Sequence, residues 1–275
     1  MSNIQILYDN VSNLCSSITA STTTGDLVAS NMLTEYKGQN HRSTGTSVTY
    51  TLIWDDLVNI SCVGLPATNL TNTATIVVSV FTTTSGGSAL YTTPVKLAAQ
   101  GLNLNPNTWA TDRDVNCFFY GGAAKTFVTF PVKNVRRVVI SIVDTGNPIG
   151  YIDCSRIVCG EYWQPTYNVQ RGLSLEVSDT SDTSRSDSGD SITDTGILFD
   201  KISFDFSILP ESDRTTLVKL MKRVGIHKNI FVNVLPNDAS HYAEQDFMIY
   251  GKRNNSSTQY QVYGFYNSSM EITGW

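Results

Sequence analysis

Short segments in residues 1–165 alternate apolar and polar positions, which is the pattern of strands with one buried face. Gly, Asn, Pro and Asp residues that favour turns separate these segments, for example at Asp55 and Asp56 and over 66–69. No segment in this region has the spacing of a convincing helix. Regular strands with intervening turns predict an antiparallel β-sandwich of the jelly-roll type. The expected strands are 48–54, 58–65, 74–81, 125–131, 135–143 and 155–163.

Residues 177–191 contain almost no apolar side chain and are rich in Ser, Thr and Asp. Such a segment buries too little apolar surface to offset the entropy of ordering it. We therefore expect an exposed loop here, or a linker whose ends are ordered by a neighbouring subunit.

The pattern then turns to one helix between strands. Residues 197–206 alternate, and acidic residues after Pro210 with basic residues before Gly225 predict a helix whose charges complement its dipole. The sequence thus predicts a mainly β chain in two domains, a β-sandwich over 1–165 and a small α+β domain with one main helix over 166–275. Its last expected strands are 230–235, 247–253 and 260–275.

Charge limits the classes of partner. Charged residues make up only 16% of the chain and the net charge is -5, so there is no basic surface to bind nucleic acid. The longest apolar runs are far shorter than the roughly 20 residues that span a bilayer, so we expect no membrane insertion. Because the first residues lack a basic region and a long apolar stretch, we expect synthesis in a cytoplasm.

The sequence indicates neither a metal nor a cofactor. The three histidines, His41, His227 and His241, follow no zinc-binding motif. Without CxxC pairs, the cysteines are expected to be buried thiols. The Asp residues of 177–191 could hold calcium, but their spacing differs from the EF-hand loop, so a solvated linker is the favoured interpretation. The five cysteines are Cys15, Cys62, Cys117, Cys154 and Cys159.

No catalytic motif is present, and we expect that the protein is not an enzyme. A polysaccharide hydrolase is kept as an alternative function, because two carboxylates could converge in the fold. The acids considered for that role are Asp55 with Asp56, Asp112 with Asp114, and Glu161.

Aromatic residues near loops or element ends are the best candidates for contact with a ligand or partner. Amphipathic rings in such places suit stacking on sugars or burial in protein interfaces. The candidate contact residues are Trp109, Tyr120, Trp163, Tyr263, Tyr266 and Trp275.

The segments 41–43, 50–57, 63–70 and 74–81 together resemble the galactose-binding-like jelly roll of discoidin domains and carbohydrate-binding modules. In that family an arginine-serine turn, here Arg42-Ser43, precedes a strand that ends in Asp-Leu, here Asp56-Leu57. The resemblance covers roughly residues 1–165. It departs from the sugar-binding members because no single loop carries an aromatic and acidic cluster.

The order of a jelly roll, a polar crossing and a small α+β unit also resembles structural proteins of siphophage tail tips. This resemblance implies a non-catalytic virion protein of the bacteriophage tail tip or baseplate, assembled in the cytoplasm of the bacterial host. Its partners would be other tail proteins and symmetry-related copies of itself, with host attachment through a surface glycan as a further expectation. The alternative function is a carbohydrate-binding or host-receptor-binding module.

Overall fold

The computed structural model describes residues 2–99, 123–170, 172–236, 243–254, 257–262 and 264–275, and at 243, 261 and 262 it describes the backbone alone. The chain forms two compact units. Unit 1 comprises Met1–Gln164 with Phe231–Met248, and unit 2 comprises Pro165–Ile230 with Ile249–Trp275. The first segment of unit 1 ends at Gln164, and residues 231–248 also belong to this unit.

Unit 1 is built from antiparallel strands with two short 3-10 helices, Ser12–Leu14 and Ala29–Leu33. The strand β16 begins two residues before the segment that belongs to this unit. The elements are β1 (Gln5–Leu7), β2 (Ser17–Ala20), β3 (His41–Arg42), β4 (Ser47–Thr68), β5 (Thr75–Phe81), β6 (Tyr91–Thr92), β7 (Lys96–Leu97), β8 (Ala124–Val143), β9 (Asp153–Cys154), β10 (Val158–Gly160), β11 (Tyr162–Trp163), β16 (Asn229–Asn233) and α2 (Ala243–Asp246).

Two long strands organise unit 1. β4 and β8 pair along almost their full length, and β5 pairs with the second half of β8. The predicted break at Asp55 and Asp56 is wrong, since β4 continues through it with a register shift between Ile53 and Val58. The predicted turn at 66–69 is also wrong for 66–68, because these residues belong to β4, which ends at Thr68. A β-bulge explains the difference, because it puts polar residues inside a strand and bends it without ending it.

Residues from both halves of β4 and β8 lie in one hydrophobic core, for example Leu52 with Leu65 and Val128 with Ile140. The first half of β4 alternates buried and partly exposed positions, whereas residues 60–68 are buried continuously. Both halves of each long strand therefore contribute to this core across the register shifts between them. β1 lies between β11 and β16, where Ile6 lies opposite both Trp163 and Val232.

Unit 2 contains one main helix and an antiparallel sheet. β15 pairs with β12 on one side and with β19 on the other, and β19 also pairs with β17 and β18. The strand β17 begins one residue before this unit. The elements are β12 (Ser174–Asp179), β13 (Asp182–Arg185), β14 (Ser191–Asp194), β15 (Leu198–Pro210), α1 (Glu211–Val224), β17 (Met248–Arg253), β18 (Thr258–Val262) and β19 (Phe265–Gly274).

The prediction of the main helix is confirmed. α1 follows Pro210, has Glu211 and Asp213 in its first turn, and ends at Gly225, whose φ of 59° suits glycine. Its buried side chains include Leu217 and Leu220 at helical spacing. No helix among the described residues is long and apolar enough to cross a membrane.

The segment predicted as a loop at 177–191 is a β-structure instead. β12 and β15 pair as far as Asp179 and Leu198, and the chain between them folds into the β13–β14 hairpin. The expectation of exposure agrees with the structure, since all of β13 and β14 is exposed. Ser and Thr hydroxyls bond across this hairpin, as between Thr183 and Thr193 at 3.3 Å, and supply local contacts in place of a core. We name residues 174–198 the arm.

The fold class agrees with the sequence-based prediction. The chain is mainly β with antiparallel strands, a β-sandwich is followed by a small α+β region, and that region carries the main helix.

Candidate functional site

The structure places the candidate aromatic residues in different environments. Trp109, Tyr120 and Tyr263 lie outside the described residues, so their predicted role stays a prediction. Trp163 is only 8% exposed, because β11 pairs with β1 and turns the ring into the interior. The expectation of an exposed ring at Trp163 is therefore wrong.

Tyr266 is half-buried on β19 and belongs to an aromatic group of unit 2. Its ring lies 5.4 Å from that of Tyr260 in an edge-to-face arrangement, and the Arg214 guanidinium lies 4.7 Å from its centroid. Tyr260 is 60% exposed. This group stacks on itself across the β18–β19 hairpin, as cross-strand aromatic pairs do.

Trp275 is the candidate that borders an open space. It is half-buried, its indole lies edge-to-face against buried Tyr250 at 5.4 Å, and its backbone N–H donates to the Tyr250 carbonyl at 2.9 Å. The ring therefore has a fixed place at the end of β19. It lines a cleft of about 620 Å³ within unit 2.

The lining of this cleft combines an aromatic ring, an apolar side chain, amides, a hydroxyl and two cations. We name it the Trp275 cleft. Its lining residues are Ile226, Asn229, Lys252, Arg253, Asn254, Thr273, Gly274 and Trp275.

Strand pairing explains how residues far apart in sequence meet here. β17 pairs with β19, with Gly251 opposite Gly274 and Lys252 opposite Thr273. A Cβ at Gly251 would overlap the Thr273 carbonyl oxygen, and a Cβ at Gly274 would lie 2.8 Å from the Asp200 carbonyl oxygen. Only glycine permits this close approach, so the two glycines fix the backbone beside Trp275.

Hydrogen bonds hold two polar side chains of the cleft. The Asn254 amide donates to the Glu271 carboxylate at 2.5 Å, and the Asn254 backbone N–H donates to the Glu271 carbonyl at 2.8 Å. The Arg253 guanidinium donates to the carbonyls of Met221 at 3.0 Å and Asn254 at 3.2 Å. Burial lowers the pKa of Arg253, but guanidinium remains charged in proteins. The polar groups are thus positioned before any ligand arrives.

Such a cleft can bind a ligand that has both an apolar face and polar edges. An indole offers a flat apolar surface, while amides donate and accept hydrogen bonds, a hydroxyl does both, and cations donate. Sequence reasoning found Trp275 but missed Asn229, Lys252, Arg253 and Asn254. Gly251 and Gly274 were the available sequence indication of a close approach between two strands. Their pairing, however, is visible only in the fold.

A second cleft in unit 2, of about 230 Å³, is smaller and more polar. Its one aromatic residue, Phe206, is 1% exposed and therefore presents no stacking surface. Its lining residues are Gln170, Asp205, Phe206, Ser207, Ser257, Gln259, Asn267, Ser268 and Ser269.

Unit 1 carries a different cluster at the arginine-serine turn. Arg42 donates twice to the Asp153 carboxylate, at 2.8 Å each, and its guanidinium lies 4.1 Å from the centroid of the Tyr151 ring. The hydrogen bond to Asp153 raises the pKa of Arg42. Next to it, His41 is fully buried between the Tyr50 hydroxyl and the Thr22 carbonyl, both at 2.9 Å. These groups bind one another.

Among the described residues, no group of three or more His, Cys, Asp or Glu side chains is arranged to hold a metal ion. Four cysteines in this part are free, and Cys117 lies outside it. Burial raises the pKa of Cys154 to about 12, so its thiol stays protonated at neutral pH.

The acids considered for hydrolysis that the structure describes lie at separate places in unit 1. Asp55 and Asp56 sit in the exposed β4 bulge, Glu161 lies between β10 and β11, and Asp112 and Asp114 are outside the described residues.

No protein-family model and no curated protein matches this sequence. Among solved structures, chitosan-binding module 1 of a Paenibacillus sp. IK-5 chitosanase/glucanase is 13% identical, with 56% of this chain and 99% of the module covered and a TM-score of 0.39. A Ruminococcus gnavus fucosidase in complex with fucose is 11% identical (56% and 26% covered, TM-score 0.38). A Streptococcus pneumoniae fucose-binding module is 8% identical (56% and 99% covered, TM-score 0.37). At these low values, the likenesses place the chain in no family.

Proposed function

We propose that the protein is a non-catalytic saccharide-binding protein and that the Trp275 cleft is its binding site. The observation that carries the proposal is the meeting of an indole with amide and hydroxyl groups around one open space in unit 2. A sugar ring has one face of C–H groups and a rim of hydroxyls. The former suits an aromatic ring, and the latter suits Asn and Thr side chains.

The size and order of the cleft support this function. Its volume of about 620 Å³ lies within the range of ligand sites, roughly 300–1,000 Å³. Because Trp275 packs on Tyr250 and Asn254 bonds Glu271, the ligand does not have to order these groups on binding. Pre-organised contacts of this kind lower the entropic cost of binding.

The same lining supports binding without hydrolysis. Glycoside hydrolysis typically uses two carboxylates that flank the scissile bond. The described residues that line the Trp275 cleft include neither Asp nor Glu. A bound saccharide would therefore lack the groups that act as acid and as base or nucleophile.

A glycan array followed by calorimetry on the best ligands tests this proposal. We expect Trp275→Ala to weaken binding at least about fivefold, since stacking of nucleic-acid bases on aromatic rings indicates about 1–3 kcal/mol per ring. Tyr260→Ala is the matched control, because Tyr260 is an exposed aromatic residue of the same unit that does not line the cleft. Equal affinities of both variants and the unaltered protein would contradict the proposal.

A structural role in a bacteriophage tail tip or baseplate remains our second proposal. The arm favours it, because an exposed β-structure with apolar side chains outside is suited to packing on a neighbouring subunit or another tail protein. These side chains are 57–72% exposed: Val177, Ile192, Ile197 and Leu198.

Shortening the arm tests the structural role. Asp179 pairs with Leu198, so an Asn-Gly turn can replace residues 180–197 and leave β12 and β15 paired. We expect this variant to fold with an unchanged melting temperature but to be missing from the parent particle in electron micrographs. A full-length protein that stays a monodisperse monomer and joins no virion protein would refute the role.

A further inference from the structure

The charges at the Trp275 cleft differ in sign from the charge of the whole protein. Lys252 and Arg253 both line the cleft, and the described residues that line it include neither Asp nor Glu. The chain as a whole has a net charge of -5. Long-range attraction would therefore favour cations, whereas the local contacts in this cleft favour anions.

The two cations have different surroundings and can do different work. Arg253 is 8% exposed, and its guanidinium is held by the carbonyls of Met221 and Asn254. It is a fixed positive charge in the wall. Lys252 is exposed beside it and lies opposite Thr273 in the β17–β19 pair. Its ammonium group is carried on a flexible four-carbon side chain that can turn toward a ligand.

The acid next to the cleft has a structural partner. The Glu271 carboxylate accepts the Asn254 amide at 2.5 Å, and Glu271 is not itself a lining residue. This bond orients the amide toward its place in the wall. Lys252 and Arg253 are therefore the charged side chains among the described lining residues.

We infer that the Trp275 cleft selects saccharides that carry an anionic group, a carboxylate or a sulfate, which Lys252 binds within the field of Arg253. This inference rests on the proposed saccharide-binding function. Hydrogen bonds between ionised partners are about twice as strong as neutral ones, and partial exclusion of water strengthens them. An uncharged sugar of the same shape would stack on Trp275 but gain no charged contact.

Matched ligand pairs that differ only in charge test the inference. Oligomers of glucuronate, galacturonate and mannuronate are each compared with their methyl esters by calorimetry, and a sulfated galactan is compared with its desulfated form. We expect the acid of one pair to bind about tenfold more tightly than its ester. Added salt should weaken binding of the acid and leave binding of the ester unchanged.

Lys252→Gln should remove this preference, because binding of the acid should weaken about tenfold more than binding of the ester. Lys219→Gln is the matched control, since Lys219 is exposed on α1 in the same unit and does not line the cleft. Equal binding of acid and ester, both lost in Trp275→Ala, would overturn the inference and leave the proposed function standing. An equal effect of both lysine variants would also overturn it, because the attraction would then be diffuse. If no form binds, the proposed function itself fails.

Discussion

Two clusters of this protein contain the same kinds of group and use them differently. In unit 1, Arg42 is bonded twice to Asp153 and covers the Tyr151 ring. In unit 2, Trp275 and Lys252 line a cleft of about 620 Å³. In the first cluster the hydrogen-bond donors and the aromatic face contact each other and Asp153. In the second cluster they face an open space.

The comparison shows that residue types alone do not identify a binding site. Arginine with an aromatic residue is a common composition of ligand sites, but a stacked and paired arginine is a fold contact. What distinguishes the Trp275 cleft is the open space that Trp275 lines, beside the close approach of backbone that Gly251 and Gly274 permit. The distinction makes opposite predictions for the two clusters.

The largest effect is expected at Gly251. In Gly251→Ala the new methyl group would overlap the Thr273 carbonyl oxygen, which is backbone and cannot move aside without separating β17 from β19. We expect a loss of about 2 kcal/mol of unfolding free energy, a fall of roughly 4–8 °C in melting temperature, and loss of saccharide binding. Gly38→Ala, where the added methyl group meets nothing within 4 Å, is the control. An unchanged melting temperature at Gly251 would break the account of how the cleft is built.

A smaller effect separates the two clusters directly. Arg42→Gln removes the paired hydrogen bonds to Asp153 and the contact with Tyr151, so the melting temperature should fall while saccharide affinity stays the same. Lys252→Gln should weaken saccharide binding while the melting temperature stays the same, because Lys252 is exposed at the cleft. Calorimetry and thermal unfolding of the two variants provide the test. Weaker saccharide binding in Arg42→Gln would mean that unit 1 carries the site.

The smallest effect concerns pH and the buried ring of His41. Burial lowers the pKa of His41 in the folded protein, so the unfolded chain binds a proton more readily. The stability that depends on neutral His41 is fully present above the unfolded pKa near 6.5 and declines as the pH falls below it. His41→Gln should therefore show a shallower decline in melting temperature between about pH 7 and 5. The same steep decline in His41→Gln as in the unaltered protein would exclude this role, and His227→Gln at an exposed ring is the control.

Local patterns predicted the parts of the fold that depend on neighbouring residues. The acids after Pro210, the bases before Gly225 and the spacing of Leu217 and Leu220 specified α1 without any tertiary information. Strand alternation similarly predicted the two ends of β4. The sequence did not show that β4 is one continuous strand. A bulge at Asp55 and Asp56 has the residue pattern of a turn, and only the pairing with β8 distinguishes the two.

The site was predicted less well for the same reason. Trp275 was found as an aromatic residue at an element end, but its neighbours come from β17 and from the turn after α1. Trp163 looked equivalent in sequence and is buried by pairing of β11 with β1. Whether residues this far apart in sequence meet in the fold depends on strand register, which a single sequence does not reveal.

The most direct test of the central claim follows Trp275 itself during saccharide titration. The chain has four tryptophans, so a protein labelled with 5-fluorotryptophan should give four fluorine NMR signals, and Trp275→Phe assigns one of them. Trp54, buried in the core of unit 1, is the internal control. Our account predicts that the Trp275 signal shifts in a saturable manner while the Trp54 signal stays in place. A bound saccharide that leaves the Trp275 signal unchanged and shifts another tryptophan would contradict it.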